Sequence, residues 1–260
     1  MDYWKKIDKN PYEDLYWNIP ERPEGKINVI GGNSKSFNTE ARVAEKLGHD
    51  YQFQKLNVVL PNALEKQLPK FDNFVFLSST DSGSFSSDEE LLKVMNEADF
   101  NLLLGDFSKN QITKQAVTSA CISSEKPSLV YRDTVDLITG SDSTKLLMNE
   151  NLILFASVAQ LKNLFQAIYY PKVILLTMST MQLADTLHKF SLSYPTSLIT
   201  FHNGQILIAQ NGEVYSIPLE NTPYSPITLW TGQLAGNIAA MNLFMPNNFI
   251  KATIAAIFKN

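Results

Sequence analysis

The stretch from Trp230 to Ala240 is the most informative candidate site in the sequence. It reads Trp-Thr-Gly-Gln-Leu-Ala-Gly-Asn-Ile-Ala-Ala, so a Thr-Gly turn leads into small residues at helical spacing. The amides of Thr231, Gly232 and Gln233 would lie at the start of that helix, where unpaired N–H groups and the helix dipole favour a phosphate. A closely packed helix that binds no ligand, with Gly236 at the contact, would produce the same pattern.

A second candidate is the turn Gly31-Gly32-Asn33-Ser34, which follows the first apolar run of the chain. It predicts a strand-to-helix turn whose amides could face a phosphate. The adjacent glycines match neither the GxGxxG fingerprint nor the GxxxxGK[ST] phosphate loop. A tight turn without a ligand explains Gly31, Gly32 and Asn33 equally well.

Acidic residues follow two further apolar runs. Gly105 could add a backbone contact to a phosphate. Asp106 could bind a ribose hydroxyl, a water or Mg²⁺, or could cap the helix that begins near Asn110, which is the interpretation we favour. Asp133 could act in the chemistry or pair with its neighbour Arg132. Asp106, Asp133 and Gln233 are therefore the candidate catalytic residues.

Two segments repeat the pattern of an apolar run followed by Ser-x-x-Gln-Leu, at Ser157–Gln160 and at Ser179–Gln182. The pattern predicts a capping box, in which Ser caps a helix and Gln returns a bond to the cap amide. These are ordinary strand–helix junctions, although helix starts at strand ends also bind ligands in α/β proteins.

Composition excludes several other classes of protein. The 260 residues include 26 acidic and 22 basic ones, a net charge of −4, so we expect no nucleic-acid partner. Cys121 is the only cysteine and the three histidines are far apart, so the sequence predicts no metal site built from these residues. No GxSxG or HExxH motif is present. No apolar run reaches about 18 residues and the N-terminus has no secretory pattern, so we expect a cytoplasmic protein without membrane contact.

Short apolar runs alternate with helical patterns along most of the chain. This predicts a three-layer α/β/α domain with a mainly parallel sheet. Asn203-Gly204 and Asn211-Gly212 separate three later runs and predict antiparallel hairpins near the C-terminus. Val173–Leu176 is expected to be another buried strand.

Residues 1–26 differ from the rest because they are polar, contain proline and carry five large aromatic rings. We expect them to form an arm across a single domain of residues 27–260, with Trp4 and Trp17 as packing anchors.

The order of these motifs resembles that of the ribokinase-like ADP/ATP-dependent NAD(P)H-hydrate dehydratases, the nicotinamide-nucleotide repair family. The family's GGS-type turn, GPGLG-type turn, DADAL-type strand and G[ST]GDVLAGxIAA motif correspond to Val29–Ser34, Leu103–Phe107, Pro127–Val135 and Trp230–Ala240. The resemblance covers roughly residues 27–258, and the last motif is the specific one. It implies a ribokinase-like fold, ATP or ADP with Mg²⁺ as cofactor, NAD(P) as a further ligand, and a homo-oligomer.

The chain departs from that pattern at several functional positions. The family's late Asp is absent, and Gln233 takes its place, or Gly232 if no gap is allowed. The TPHxxE turn corresponds either to Ser157–Gln160 or to Thr177–Gln182, and both have Gln where the family has Glu. A Lys-Gly pair near a late strand is also missing, with Phe201–Gly204 nearby. A neutral amide cannot take a proton or bind Mg²⁺ as a carboxylate does.

Three hypotheses follow. The first is a diverged relative that keeps an anion or nucleotide pocket with impaired or no catalysis. The second is an active NAD(P)H-hydrate dehydratase, a carbon–oxygen lyase using ADP or ATP, or a small-molecule kinase, with Asp106 or Asp133 in the catalytic role. The third is a structural or interaction protein whose arm contacts a neighbouring subunit.

Overall fold

One ten-stranded sheet runs through the molecule. The computed structural model describes residues 2–246 and 248–259. The strands are β1 (Trp4–Lys6), β2 (Lys26–Gly31), β3 (Lys55–Pro61), β4 (Phe74–Leu77), β5 (Phe100–Gly105), β6 (Ser128–Tyr131), β7 (Leu152–Phe155), β8 (Ser197–His202), β9 (Gln205–Gln210) and β10 (Glu213–Pro218). They lie in the order β1-β10-β9-β8-β7-β6-β5-β2-β3-β4. All neighbours from β8 to β4 are parallel, whereas β9 is antiparallel to both β8 and β10.

Helices cover both faces of this sheet. They are α1 (Asn38–Asp50), α2 (Asp88–Glu97), α3 (Gln111–Ser123), α4 (Asp133–Ile138), α5 (Ser143–Leu147), α6 (Val158–Ala167), α7 (Thr180–Ser193), α8 (Gln233–Phe244) and α9 (Phe249–Phe258). Helices α1, α8 and α9 contribute to one hydrophobic core, and α2 to α7 pack on the other face. Central strands such as β5 are buried along their whole length, because helices cover them on both sides. The predicted three-layer fold is confirmed.

The antiparallel addition near the C-terminus is also confirmed. Asn203 and Asn211 have positive φ angles of 47° and 49°, and each precedes a glycine with positive φ. These are the conformations that two-residue hairpin turns require, and Asn-Gly adopts them at low cost.

The predicted strand at Val173–Leu176 is wrong. Val173, Leu175 and Leu176 are 61%, 53% and 60% exposed, and they lie in the connection between α6 and α7. The position beside β7 in the sheet is taken by β8, so this apolar run has no strand to pair with. An apolar run specifies a strand only where the topology supplies a partner.

The N-terminal segment contributes the edge strand β1, which the sequence patterns did not predict. Strand β1 pairs in parallel with β10, and the Trp4 indole N–H donates to Ser216 Oγ at 3.0 Å. Trp17 is 89% exposed, so its expected role as a packing anchor is wrong. The Tyr16 hydroxyl donates to the Ala255 carbonyl on α9 at 2.8 Å. The limits of the arm and of the domain stay predictions.

Among the described residues, no helix is long and apolar enough to cross a membrane. Cys121 is fully buried, and this burial raises the pKa of its thiol to about 12. It is therefore a packing residue rather than a nucleophile.

Candidate functional site

The candidate residues from the sequence meet at one edge of the sheet. Strands β2, β5, β6 and β7 run parallel, so the residues that follow them lie side by side at their carboxyl ends. Gly31 pairs with Gly105 at this edge. Ligands of open α/β folds bind at the carboxyl ends of the strands. The carboxyl ends of these strands therefore form the candidate active site.

Asp106, Asp133 and Arg132 form a charged cluster at this edge. The Asp106 amide donates to Asp133 Oδ2 at 3.1 Å, and Arg132 forms its ion pair with Asp106 Oδ1 at 3.7 Å rather than with Asp133. The expected capping role of Asp106 is wrong, because Asn110 caps α3 by accepting a hydrogen bond from the Thr113 amide at 2.8 Å.

The backbone of this cluster is unusual. Asp106 has φ of 57°, and Arg132 has φ of 55° with ψ of −135°. Residues with a side chain rarely adopt such angles, and those that do are concentrated at functional sites. The two strained residues face each other across one ion pair.

Glu40 is the most isolated charged group of the site. Its side chain is fully buried in the first turn of α1, and neither carboxylate oxygen has a hydrogen-bond partner. The pKa of this carboxyl is raised to about 8, chiefly by burial; the charges of Asp106 and Asp133 act in the same direction, and Glu40's own amide and the Arg132 charge oppose them. Burial also raises the pKa of Asp133. The raised pKa favours the neutral, protonated form of Glu40 in the folded protein.

The carboxylates fill the space above two of the predicted phosphate-binding glycines. A Cβ atom on Gly31 would lie 2.2 Å from Glu40 Oε1, and one on Gly105 would lie 2.0 Å from Asp133 Oδ1. The Gly32 amide donates to the Gly105 carbonyl at 2.9 Å, and the Asn33 amide donates to the Ser36 carbonyl at 2.8 Å. These contacts explain the glycines structurally, and the phosphate-binding role of this turn stays a prediction.

Thr39 connects the cluster to the start of α8. Its hydroxyl donates to Asp106 Oδ2 at 3.2 Å and accepts from Arg132 Nη1 at 2.8 Å. Its methyl carbon lies 3.6 Å from the position that a Cβ on Gly232 would take. The two halves of the predicted site are therefore neighbours in space.

The start of α8 matches the predicted anion site in part. Gly232 caps the helix with φ of 94° and makes no side-chain cap bond, so the first-turn amides from Gln233 onward lack intrahelical partners. The Gly232 amide itself lies beside the Tyr131 hydroxyl, where it opposes the rise in the tyrosine pKa that burial causes. The Arg42 guanidinium donates to the Thr231 carbonyl at 3.2 Å.

A pocket of about 310 Å³ lies between α1 and this helix start, and we call it the α1–α8 pocket. Its polar lining includes Arg42, Lys46, Thr231, Gln233 and Asn237. None of the described residues that line it is acidic. Two cations beside a helix N-terminus favour an anion.

A second concavity, of about 470 Å³, lies between the start of α4 and the start of α6, with Trp230 in its lining. Gln160 lines it and donates from Nε2 to the Arg132 carbonyl and to Asp136 Oδ2, both at 2.7 Å. Gln160 Oε1 accepts from the Ser157 amide at 2.9 Å, which completes the predicted capping box. Ser179 also caps a helix, but it follows a loop rather than a sheet strand. Ser157–Gln160 is thus the segment at the charged edge.

Solved structures of other proteins share this architecture. An ADP/ATP-dependent NAD(P)H-hydrate dehydratase from Bacillus subtilis, co-crystallised with ATP/Mg²⁺ and soaked with CoA, superposes with a TM-score of 0.63 at 14% identity, over 97% of this chain and 86% of that one. A ribokinase-like superfamily protein from Enterococcus faecalis superposes with a TM-score of 0.61 at 12% identity, over 99% of this chain and 86% of that one. The chain has a ribokinase-like fold.

A pyridoxal kinase from Bacillus subtilis, solved as an ADP complex, shares the ribokinase-like fold more distantly. Its TM-score is 0.52 at 10% identity, over 90% of this chain and 88% of that one. No protein-family model matches the sequence. No curated protein matches it either. Identities this low establish the fold of the chain alone.

The residues of this ribokinase-like edge form no preformed cluster of metal ligands. Among the described residues, no group of three or more His, Cys, Asp or Glu side chains could hold a metal ion. Gln160 and Gln233 present neutral amides, Arg132 lies beside Asp106, and Glu40 is buried without a partner. Carboxylate oxygens are the ligands that Mg²⁺ prefers. Here Asp106 is paired with Arg132, Asp133 accepts from the Asp106 amide, and Asp136 accepts from Gln160.

Sequence reasoning missed Glu40, Arg42 and Lys46. In the sequence, Glu40 has the pattern of an ordinary acidic residue in the first turn of a helix. Arg42 and Lys46 have the pattern of residues on the solvent-exposed face of that helix. Their importance depends on the packing of α1 against α8, which brings residues almost 190 positions apart into contact. The only sequence signal was their closeness to the glycine turn.

Proposed function

We propose that this ribokinase-like protein binds a nucleotide or another phosphate-bearing small molecule beside the start of α8, and that it has little or no phosphoryl-transfer or dehydration activity. The observation that carries the proposal is the α1–α8 pocket. It places Arg42 and Lys46 beside Thr231 and Gln233, with no acidic residue among its described lining. An anion gains from both the helix dipole and the two side-chain charges.

Proteins of the same fold support an adenine nucleotide as the ligand. The dehydratase was crystallised with ATP/Mg²⁺, and the pyridoxal kinase was solved with ADP. ATP, ADP, AMP, NAD and NADP are therefore the compounds to test.

The residues that stand where the family has acids support the proposal that catalysis is weak or absent. Gln233 is the first residue of α8, where the family resemblance places an acid, and Gln160 is committed to three hydrogen bonds within the protein. An amide side chain has no proton-accepting role at neutral pH. Binding can survive such replacements, because the first-turn amides from Gln233 onward and the side-chain charges of Arg42 and Lys46 remain.

Thermal unfolding with each of the five compounds tests the proposal. A ligand at about 100 times its Kd stabilises the folded state by about 2.7 kcal/mol, which raises Tm by several degrees. We expect a rise with at least one phosphate compound and a smaller rise in Arg42→Gln. An unchanged Tm with all five compounds at millimolar concentration contradicts the proposal.

The charged cluster supports a second candidate function, catalysis as an NAD(P)H-hydrate dehydratase or a small-molecule kinase. Asp106 and Asp133 meet at the sheet edge, with strained backbone at Asp106 and a raised pKa at Asp133. Such features are typical of sites that move protons. We expect no turnover of NADH hydrate with ATP or ADP. Turnover that is lost in Asp133→Asn and kept in Asp142→Asn, a control whose half-exposed side chain pairs with Lys145, would favour this second function instead.

A further inference from the structure

We propose that Glu40 is a proton-operated switch for the charged cluster: loss of its proton draws Arg132 away from Asp106 and onto Glu40, which frees the Asp106 carboxylate. The proposed function places its ligand at the start of α8 and gives Glu40 no role. The switch is a separate, regulatory property of the neighbouring cluster.

The buried Glu40 carboxyl lies beside a backbone carbonyl and lacks a hydrogen-bond donor. Neither of its oxygens has a partner among the described residues. Glu40 Oε1 and the Gly105 carbonyl oxygen lie 2.2 and 2.6 Å from the position that a Cβ on Gly31 would take, so the two oxygens are neighbours. Two acceptors side by side repel each other unless one of them carries a hydrogen. The proton of a neutral Glu40 supplies that hydrogen, so this arrangement fits the protonated acid.

The ionised form of Glu40 would join two other carboxylates beside a single guanidinium. The pKa of the Glu40 carboxyl is raised chiefly by burial, and the charges of Asp106, after β5, and Asp133, at the start of α4, act in the same direction. Its own amide and the charge of Arg132 oppose this rise. A buried carboxylate without a counter-charge is costly, so ionisation of Glu40 creates a demand for that guanidinium.

The other charged groups around α1 do not meet this demand. Helix α8 has no ionisable side chain, and the only one in each of β2 and β3 is a lysine at the amino end of the strand, away from the cluster. Lys35, in the turn after β2, is exposed, and Arg42 donates to a carbonyl before α8. The Tyr131 hydroxyl of β6 stays neutral, because burial raises its pKa. Arg132 is therefore the partner for ionised Glu40.

Arg132 is already positioned for the exchange. Its Nη2 lies 3.7 Å from Asp106 Oδ1, beyond ordinary hydrogen-bond length, whereas its Nη1 donates to the Thr39 hydroxyl at 2.8 Å. Thr39 precedes Glu40 in the chain, so the shorter contact holds the guanidinium at the first turn of α1. Asp106 and Arg132 also have rarely adopted backbone angles, with φ of 57° and 55°. Strained residues of this kind are concentrated in segments that switch.

The protein has three arginines, Arg22, Arg42 and Arg132, so their side chains can be followed individually by NMR. With isotope-labelled arginine and no ligand, we expect the Arg132 Cζ signal to shift with a midpoint near pH 8, as Glu40 loses its proton. Glu40→Gln should abolish this shift, because an amide does not ionise. Glu45→Gln, an exposed position on the same helix, is the matched control and should keep it. Arg132→Lys assigns the signal by its absence.

A further variant distinguishes a change of partner from the effect of a new charge nearby. If Arg132 leaves Asp106, Asp106→Asn should move the Arg132 signal at pH 6 and leave it at the wild-type position at pH 10, on either side of the Glu40 midpoint. An equal effect at both pH values, or a titration that persists in Glu40→Gln, overturns the inference. A wild-type signal that stays constant over this range overturns it without any variant. No phosphate compound is present, so each of these results leaves the proposed function standing.

Discussion

Glu40 shows how one buried residue gives the site a pH dependence. Its folded-state pKa of about 8 lies above the ordinary value of 4.5. Between these two pH values the unfolded chain releases a proton that the folded protein keeps, so the free energy of unfolding falls as pH rises. The slope is at most about 1.4 kcal/mol per pH unit. The stabilising form is complete below about pH 4.5 and is lost as pH rises through about 8.

The variant Glu40→Gln should remove this decline, because an amide stays neutral at every pH. Urea unfolding of both proteins between pH 5 and pH 9 measures the difference. We expect the two stability curves to diverge as pH rises, with the variant more stable at the alkaline end. Parallel curves would show that Glu40 is not protonated in the folded protein.

A substitution of Gly105 tests whether the carboxylate of Asp133 leaves room for a side chain at this position. The variant Gly105→Ala places a methyl group 2.0 Å from Asp133 Oδ1, at a backbone φ of 118°. We expect a loss of about 2–4 kcal/mol in chemical denaturation. Gly204→Ala is the matched control, because Gly204 also has positive φ but no atom within 4 Å of its missing Cβ. The control should cost about 1 kcal/mol. Equal losses would mean that backbone conformation alone explains both glycines.

The two capping boxes allow a comparison at the scale of the element. Gln160 and Gln182 close identical boxes at the starts of α6 and α7, but Gln160 also bonds to the Arg132 carbonyl and Asp136. We expect Gln160→Ala to cost about 1–3 kcal/mol and Gln182→Ala about 0.5–1 kcal/mol. Urea unfolding of both variants measures the difference. A smaller loss for Gln160→Ala would show that the contacts to the charged edge add no stability.

Residue types and their spacing predicted those elements whose structure depends on local interactions. The Asn-Gly turns, the capping boxes and strands such as β6 and β7 follow from residue types and spacing. Val173–Leu176 has the composition of a strand and fails as one, because strand pairing is a property of the whole sheet. The sequence patterns did not identify Arg42 and Glu40 as site residues for a related reason. Each residue acquires its role from a distant segment that packs against α1.

In the whole molecule, partly buried residues of the N-terminal segment pack against both hydrophobic cores. Strand β1 covers the edge of β10. The Tyr16 hydroxyl donates to the carbonyl of Ala255 on α9, near the other end of the sequence. Covering an edge strand removes unpaired backbone groups from solvent and protects the sheet from pairing with other chains.

Two tryptophans of this segment distinguish its structural role from a role in assembly. Trp4→Ala removes the bond to Ser216 and the ring that Lys6 covers at 5.1 Å, and we expect a loss of about 1–3 kcal/mol in urea unfolding. Trp17→Ala removes a ring that is 89% exposed and should change stability by less than about 0.5 kcal/mol. Light scattering of both variants reports the molecular mass. Equal losses of stability would contradict the different roles of the two rings. A lower mass in Trp17→Ala alone would place that exposed ring in a contact between copies.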